Sequence, residues 1–173
     1  DDVNQSGLGA TVYDYSDNGI NGTAFGDAIQ TPLGYFGKGF EFDGNGGDYI
    51  EVSNTTILNL SDGYSLFAWV NVDDLSASPQ QFVISRYNWT ANTGYGMMVK
   101  NDGKIRCDFN GSYGYYLSAS SYISEDTWYH IGCVHNGTEL MVVVNGTIRE
   151  SVPRQGLVNE DSHLYLGCPS NDV

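Results

Sequence analysis

Short apolar runs recur along the whole chain, each four to eight residues long and each bounded by turn residues. Residues 39–43 (GFEFD) and 49–52 (YIEV) alternate apolar and polar positions across a glycine-rich turn. A period of two puts alternate side chains on opposite faces of an extended strand, so both runs are predicted to be half-buried strands. The same reading predicts strands over 64–70, 82–87, 95–100, 104–109, 114–119, 128–135, 139–144, 147–151 and 163–167. Asn101-Asp102-Gly103, Asn136-Gly137 and Asn145-Gly146 stand between successive runs. Tight two-residue turns need positive φ, which Asn and Gly tolerate, so these are hairpin signals. Residues 73–81 (DDLSASPQQ) are expected to form a loop with one helical turn. About eleven short strands at this spacing predict an all-β protein, a two-sheet antiparallel β-sandwich, and not a parallel α/β sheet.

Composition agrees. The 173 residues include 22 Gly and 13 Tyr but few Leu and Ala, and Gly or Asn interrupts most windows of helix length. Seven Lys and Arg against 21 Asp and Glu give a net charge of −14. That charge repels phosphate backbones and anionic lipid headgroups, which argues against nucleic-acid or membrane-surface partners. No apolar run approaches the ~20 residues of a membrane-spanning helix.

Compartment is read from Asn-x-Ser/Thr acceptors, which occur at Asn4, Asn21, Asn54, Asn59, Asn88, Asn110, Asn136 and Asn145. Such motifs mark surface Asn residues in an exported chain. Four of them (Asn21, Asn110, Asn136, Asn145) precede Gly, where turn chemistry alone would place Asn; the other four have no such reason. The expectation is an extracellular or cell-surface glycoprotein. Three cysteines (Cys107, Cys133, Cys168) allow three pairings, and spacing does not choose among them.

Catalytic chemistry finds little support. A glycosidase needs two carboxylates flanking the sugar bond, and strand-borne acids alternate along one face. The nearest match is Glu41-Phe42-Asp43, where a third acid is missing. His130, His135 and His163 belong to no nucleophile motif, and no Gly-x-Ser-x-Gly elbow exists. Calcium is the metal the sequence favours. Asp14, Asp17, Asn18 and Asn21 share one loop, and Asp43, Asn45 and Asp48 share another; hard oxygen ligands on flexible loops suit this ion. Trp89, Tyr113 and Tyr115, with Tyr87 and Tyr116 nearby, could stack on sugar rings.

The order of segments resembles the laminin-G-like domains of the concanavalin A-like jelly-roll superfamily. The residues that carry the resemblance are VYDYSDNGINGT at 12–23, FGKGFEFDGNGGDYIEV at 36–52, LSDGYSLFAWVN at 60–71, TWYHIGCVHNGTELMVVVNGT at 127–147 and SHLYLG at 162–167. The resemblance implies a two-sheet jelly roll over 1–173, a fold that carries lectins, adhesion modules and glycosidases alike. It also implies a structural calcium near the Asp14 loop, with Asp1 in the position of the family's acid after its first strand. The family's first and last strands have no counterpart in 1–173. The expectation is that they come from the same polypeptide or are added by a neighbouring subunit, so self-assembly by strand completion enters as a partner expectation. Function is read as a non-catalytic structural and adhesive module, partnered by glycans or other surface proteins. The alternative is a calcium-dependent, lectin-like module.

Overall fold

The computed structural model describes residues 7–44, 47–60, 63–88, 91, 93–109, 116–117, 122–156 and 161–167. Among these residues fourteen strands follow one another: β1 (Thr11–Val12), β2 (Gly22–Phe25), β3 (Ile29–Gly34), β4 (Gly37–Glu41), β5 (Tyr49–Val52), β6 (Tyr64–Val70) and β7 (Gln80–Asn88). Then come β8 (Thr93–Lys100), β9 (Ile105–Phe109), β10 (Tyr116–Leu117), β11 (Tyr129–His135), β12 (Glu139–Val144), β13 (Thr147–Pro153) and β14 (Leu164–Leu166). All strand pairs are antiparallel. Eight strands form one sheet in the order β1-β2-β5-β14-β7-β8-β9-β10. Four form the other, β13-β12-β11-β6, and β3 and β4 make a separate hairpin.

The period of two decides which side chains meet. Tyr95, Met97 and Val99 of β8, with Ile105, Cys107 and Phe109 of β9, point inward from the large sheet and are buried. Ile131 and Cys133 of β11 and Leu140, Val142 and Val144 of β12 meet them from the small sheet. The core is the layer between the sheets, as expected for a sandwich. A disulfide between Cys107 and Cys133 crosses it. Cys168 lies outside the described residues.

The predicted hairpins form. Asn145 (φ 48°) and Gly146 (φ 75°) both take positive φ between β12 and β13, the condition for a type I′ turn. Gly103 (φ 73°) closes the β8–β9 turn by donating to Lys100 O.

Three differences from the sequence reading have local causes. β1, β2 and β3 show little apolar alternation; β1 forms on β2, β2 on β5 and β3 on its hairpin partner β4. Pro32 lacks an N–H, and the β3–β4 register shifts between Thr31 and Gly34 around it. Residues 71–79 form bends and turns without a helical turn, and the 3₁₀ turn among the described residues is Thr56–Leu58 instead. Asp74 accepts from Ser76 N–H and Ser76 Oγ, which holds the 71–79 segment in an Asx turn and competes with helix.

Candidate functional site

The outer face of the eight-stranded sheet carries the polar chemistry. Register aligns one row across seven strands: Thr11, Thr23, Glu51, Tyr165, Ser85, Gly96 and Asp108. Six strand spacings of ~4.8 Å make this row roughly 29 Å long. Beside it Phe25 stacks on Tyr49 at 4.8 Å between ring centroids, and Tyr49 meets Tyr165 edge-on at 5.7 Å. His163 stacks on Tyr165 at 6.3 Å, and its Nδ1 stands 3.1 Å from Glu51 Oε1. All five side chains are half-buried, so ring surface stays open to solvent, while His163 Nδ1 itself is buried.

The far end of the row is more enclosed. Asp108 is buried, with Oδ1 accepting from Arg106 Nε at 2.8 Å. Its Oδ2 is buried with no hydrogen-bond partner among the described residues. Burial raises the Asp108 carboxyl above the usual carboxylate range, and Arg106 offsets part of that. Tyr87, on the same face, is raised by burial first and by Asp108 second. Gly96, opposite Asp108, leaves this part of the face without a covering side chain from β8.

The row contains two carboxylates, Glu51 and Asp108, and four strand spacings separate them. That is roughly 19 Å, against the ~5–9.5 Å that a glycosidase pair requires. Glu41 and Asp43, the acids singled out in the sequence, belong to the β4 hairpin and its exit, away from this face.

The calcium residues fall into two clusters at opposite ends of β2. Asp14 organises the first: Oδ1 accepts from Ser16 N–H, and Oδ2 accepts from Ser16 Oγ and Ile20 N–H. Asn21 Oδ1 accepts from Asp14 N–H, and Asn18 donates to Ser16 Oγ. These donors hold the Asp14 carboxyl below the usual range, the Ser16 N–H most of all. Asp48, buried, organises the second: Oδ1 accepts from Asp27 N–H and Oδ2 from Asp43 N–H. Asp1 and Asn45 lie outside the described residues. Asp14 and Asp48 each spend carboxylate oxygens on local N–H donors, Asp14 also on the Ser16 hydroxyl, and no group of three or more His, Cys, Asp or Glu stands together as a metal cluster among the described residues.

Trp89, Tyr113 and Tyr115 lie outside the described residues, as do Asn4 and Asn110. Of the other acceptor asparagines, Asn21, Asn54, Asn136 and Asn145 are exposed, and Asn59 and Asn88 are half-buried. Asn136 Oδ1 accepts from Thr138 and Glu139 N–H in its own hairpin, and Asn145 Oδ1 accepts from His130 N–H on β11. Asn54 and Asn59 have a different role. The buried Arg86 donates from Nη2 to Asn54 Oδ1, and from Nη1 to Asn59 Oδ1 and Leu58 O. Its Nε donates to Ser162 O, and Asn54 Nδ2 donates to Asp161.

The aromatic and carboxylate cluster was only half legible in the sequence. Alternation put Tyr49 with Glu51, and His163 with Tyr165, on single strand faces. Nothing local says that β14 lies beside β5, which brings residues 51 and 165 into register.

A two-sheet jelly roll with a polar, aromatic-lined outer sheet face defines the class. The family described as the concanavalin A-like lectin/glucanases superfamily, in its laminin-G form, matches residues 43–172, and the chain belongs to it. No curated protein sequence matches the chain. Among solved structures it is similar to the binding domain of botulinum neurotoxin DC in complex with rat synaptotagmin II. The TM-score is 0.71 at 14% identity, over 95% of this chain and 43% of that one. It is similar to domain 4 of AbnA, an extracellular arabinanase from Geobacillus stearothermophilus, in complex with arabinotriose, with TM-score 0.61, 16% identity, and 96% and 76% coverage. The carbohydrate binding module CBM66 from Bacillus subtilis aligns with TM-score 0.50 at 15% identity, over 83% of this chain and 86% of that one. The chain thus spans less than half of the neurotoxin chain, and these likenesses show the fold.

Proposed function

We propose that this domain is a non-catalytic, extracellular binding module that recognises glycans on the outer face of its eight-stranded sheet and serves an adhesive surface or matrix glycoprotein. The observation that carries the reading is the juxtaposition of Phe25, Tyr49 and Tyr165 with Glu51 and His163. A sugar ring has an apolar C–H face and a rim of hydroxyls. The aromatic rings match the first and the carboxylate and imidazole match the second. The wide spacing of Glu51 and Asp108 supports binding without hydrolysis. The Cys107–Cys133 disulfide supports an oxidising compartment. Structural relatives that include a carbohydrate binding module and a domain bound to arabinotriose support the ligand class.

The test is a glycan array read with and without a calcium chelator, followed by calorimetry on any oligosaccharide retained. Wild type is expected to bind at least one glycan, equally in both conditions, and to release the sugar unchanged. Tyr165→Ala and Glu51→Gln are each expected to weaken binding about tenfold, which corresponds to ~1.4 kcal/mol. A blank array, or binding that both variants leave intact, would overturn the assignment of this face. Binding that the chelator abolishes would replace it with the calcium-dependent lectin reading.

A further inference from the structure

The outer face of the four-stranded sheet carries rings at its centre. Alternation sends Leu66, Ala68, Ile131 and Cys133 to the core, so Phe67, His130 and Gly132 stand on the other side. Register sets Phe67 beside Gly132, Gly132 beside Val143, and Val143 beside Ile148. Gly132 has no side chain, and the Phe67 ring occupies the space that its Cβ would take. His130 stacks on Phe67 at 5.1 Å, with 13° between the planes. Phe67 stays 43% exposed and Ile148 58%. Tyr35 already lies over the neighbouring Trp69, whereas His130 is the only ring against Phe67 among the described residues. Apolar side chains grouped and exposed in this way mark a contact.

Asn145 ends the row that His130 belongs to. Its N–H donates to His130 O at 2.8 Å, and its Oδ1 accepts from His130 N–H at 2.9 Å. The side chain is thus held toward β11, the strand that carries His130 and Gly132. Only Oδ1 is used. Nδ2 has no partner among the described residues, and Asn145 is exposed. Asn145-Gly146-Thr147 is an Asn-x-Thr acceptor, in which Nδ2 is the atom that takes a sugar. Asn136 stands in the turn at the other end of β12, where this face carries Ser65, Val134 and Met141 in place of rings.

We propose that Asn145 carries an N-linked glycan whose first N-acetylhexosamine lies on Phe67 and His130 and covers them. The proposal rests on the extracellular reading above. In the transfer, Asn145 Nδ2 forms a bond to the anomeric carbon of that sugar. The bond from this carbon to a lipid-linked diphosphate breaks, the diphosphate leaves with the electron pair, and the amide gives up one proton. The sugar's C–H face then matches the aromatic surface. A sugar tethered one strand away from the rings acts at high effective concentration, which a free saccharide does not.

The test uses the full chain secreted from glycosylating cells, mapped by glycopeptide analysis and trimmed with an endoglycosidase that leaves one sugar on each occupied Asn. Occupancy at Asn145 is expected, with nuclear Overhauser contacts between its sugar and the Phe67 ring. A sugar on Asn136 is expected to show no such contact. Thr147→Ala removes the acceptor motif and keeps Asn145 with its bonds to His130. It is expected to raise the unfolding equilibrium constant about fivefold in urea titrations, and Phe67→Ala is expected to abolish that difference. The Overhauser contact is read on wild type, so it decides the matter even where Phe67→Ala does not fold. A bare Asn145 on a chain that carries sugar at Asn21 or Asn136 overturns the proposal and leaves the extracellular reading standing. A chain bare at every acceptor overturns both. An occupied Asn145 whose sugar does not touch Phe67, or a Thr147→Ala loss undiminished in the Phe67→Ala background, overturns the proposal alone.

Discussion

Cys107 of β9 and Cys133 of β11 join the two sheets through the core, with their Cα atoms 5.7 Å apart and 26 residues apart in sequence. Both are fully buried between Met97, Ile131 and Val142 in the same apolar cluster. The bond thus ties a strand near one edge of the large sheet to a central strand of the small one. Closing a loop of that length removes chain entropy worth roughly 3.5 kcal/mol from the unfolded state. The variant with both cysteines changed to Ala is expected to lose about that much stability by urea unfolding. Wild type should show the same midpoint as the variant once a reductant has been added under unfolding conditions. A loss under 1 kcal/mol would show that packing alone holds the sheets together.

Arg86 is a buried guanidinium whose donors bind Leu58 O, Ser162 O and the side-chain oxygens of Asn54 and Asn59. It fastens the β5–β6 connection to the segment before β14. A Lys ammonium cannot reproduce this fork, so several buried acceptors would lose their donor. Arg86→Lys is expected to cost about 3 kcal/mol, measured by chemical denaturation. The same network predicts low glycan occupancy at the half-buried Asn59 in secreted protein relative to the exposed Asn21 and Asn136. Glycopeptide mapping with full occupancy at Asn59 would contradict that role.

Two glycines give opposite expectations. A Cβ on Gly94 (φ 113°) would lie 2.1 Å from Arg86 O and 2.8 Å from Tyr87 Cα, which are backbone atoms that cannot step aside. Gly94→Ala is expected to cost about 3 kcal/mol, near the top of the range for a strained backbone position. A Cβ on Gly132 would lie 2.3 Å from the Phe67 ring, a side chain that can rotate. Gly132→Ala is expected to cost about 1 kcal/mol and to move Phe67 off its stack with His130. Thermal midpoints of the two variants check the order.

Acid stability is expected to show two signs. The Asp14 carboxyl is lowered in the fold by Ser16 and Ile20 donors. Its contribution is present above the unfolded carboxyl value of ~3.9 and is lost as pH falls through the folded value. Asp108 is raised by burial. The fold therefore holds its proton more tightly than the unfolded chain does, and the group costs stability as pH rises from ~3.9 through its folded value. Urea midpoints between pH 2 and 7 should show a shallower acid limb for Asp14→Asn than for wild type. An unchanged limb would remove Asp14 from the acid response.

The alternation of apolar residues and the Asn-Gly turns determined most of the strands by themselves. The strand at 49–52 declares its inward face through a period of two, Ile50 and Val52 on one side and Tyr49 and Glu51 on the other, and Asn145-Gly146 declares its turn through positive φ. These are local properties of the backbone and need no neighbours. Tertiary structure decided what lies next to what. Only the sheet order set Glu51 beside Tyr165 and chose Cys107–Cys133 among three pairings. Only three-dimensional packing turned the Asn54 and Asn59 acceptor motifs into ligands of a buried arginine. β1 to β3 were silent for the same reason: their short runs lack apolar alternation and form strands because β2, β5 and β4 offer them an edge.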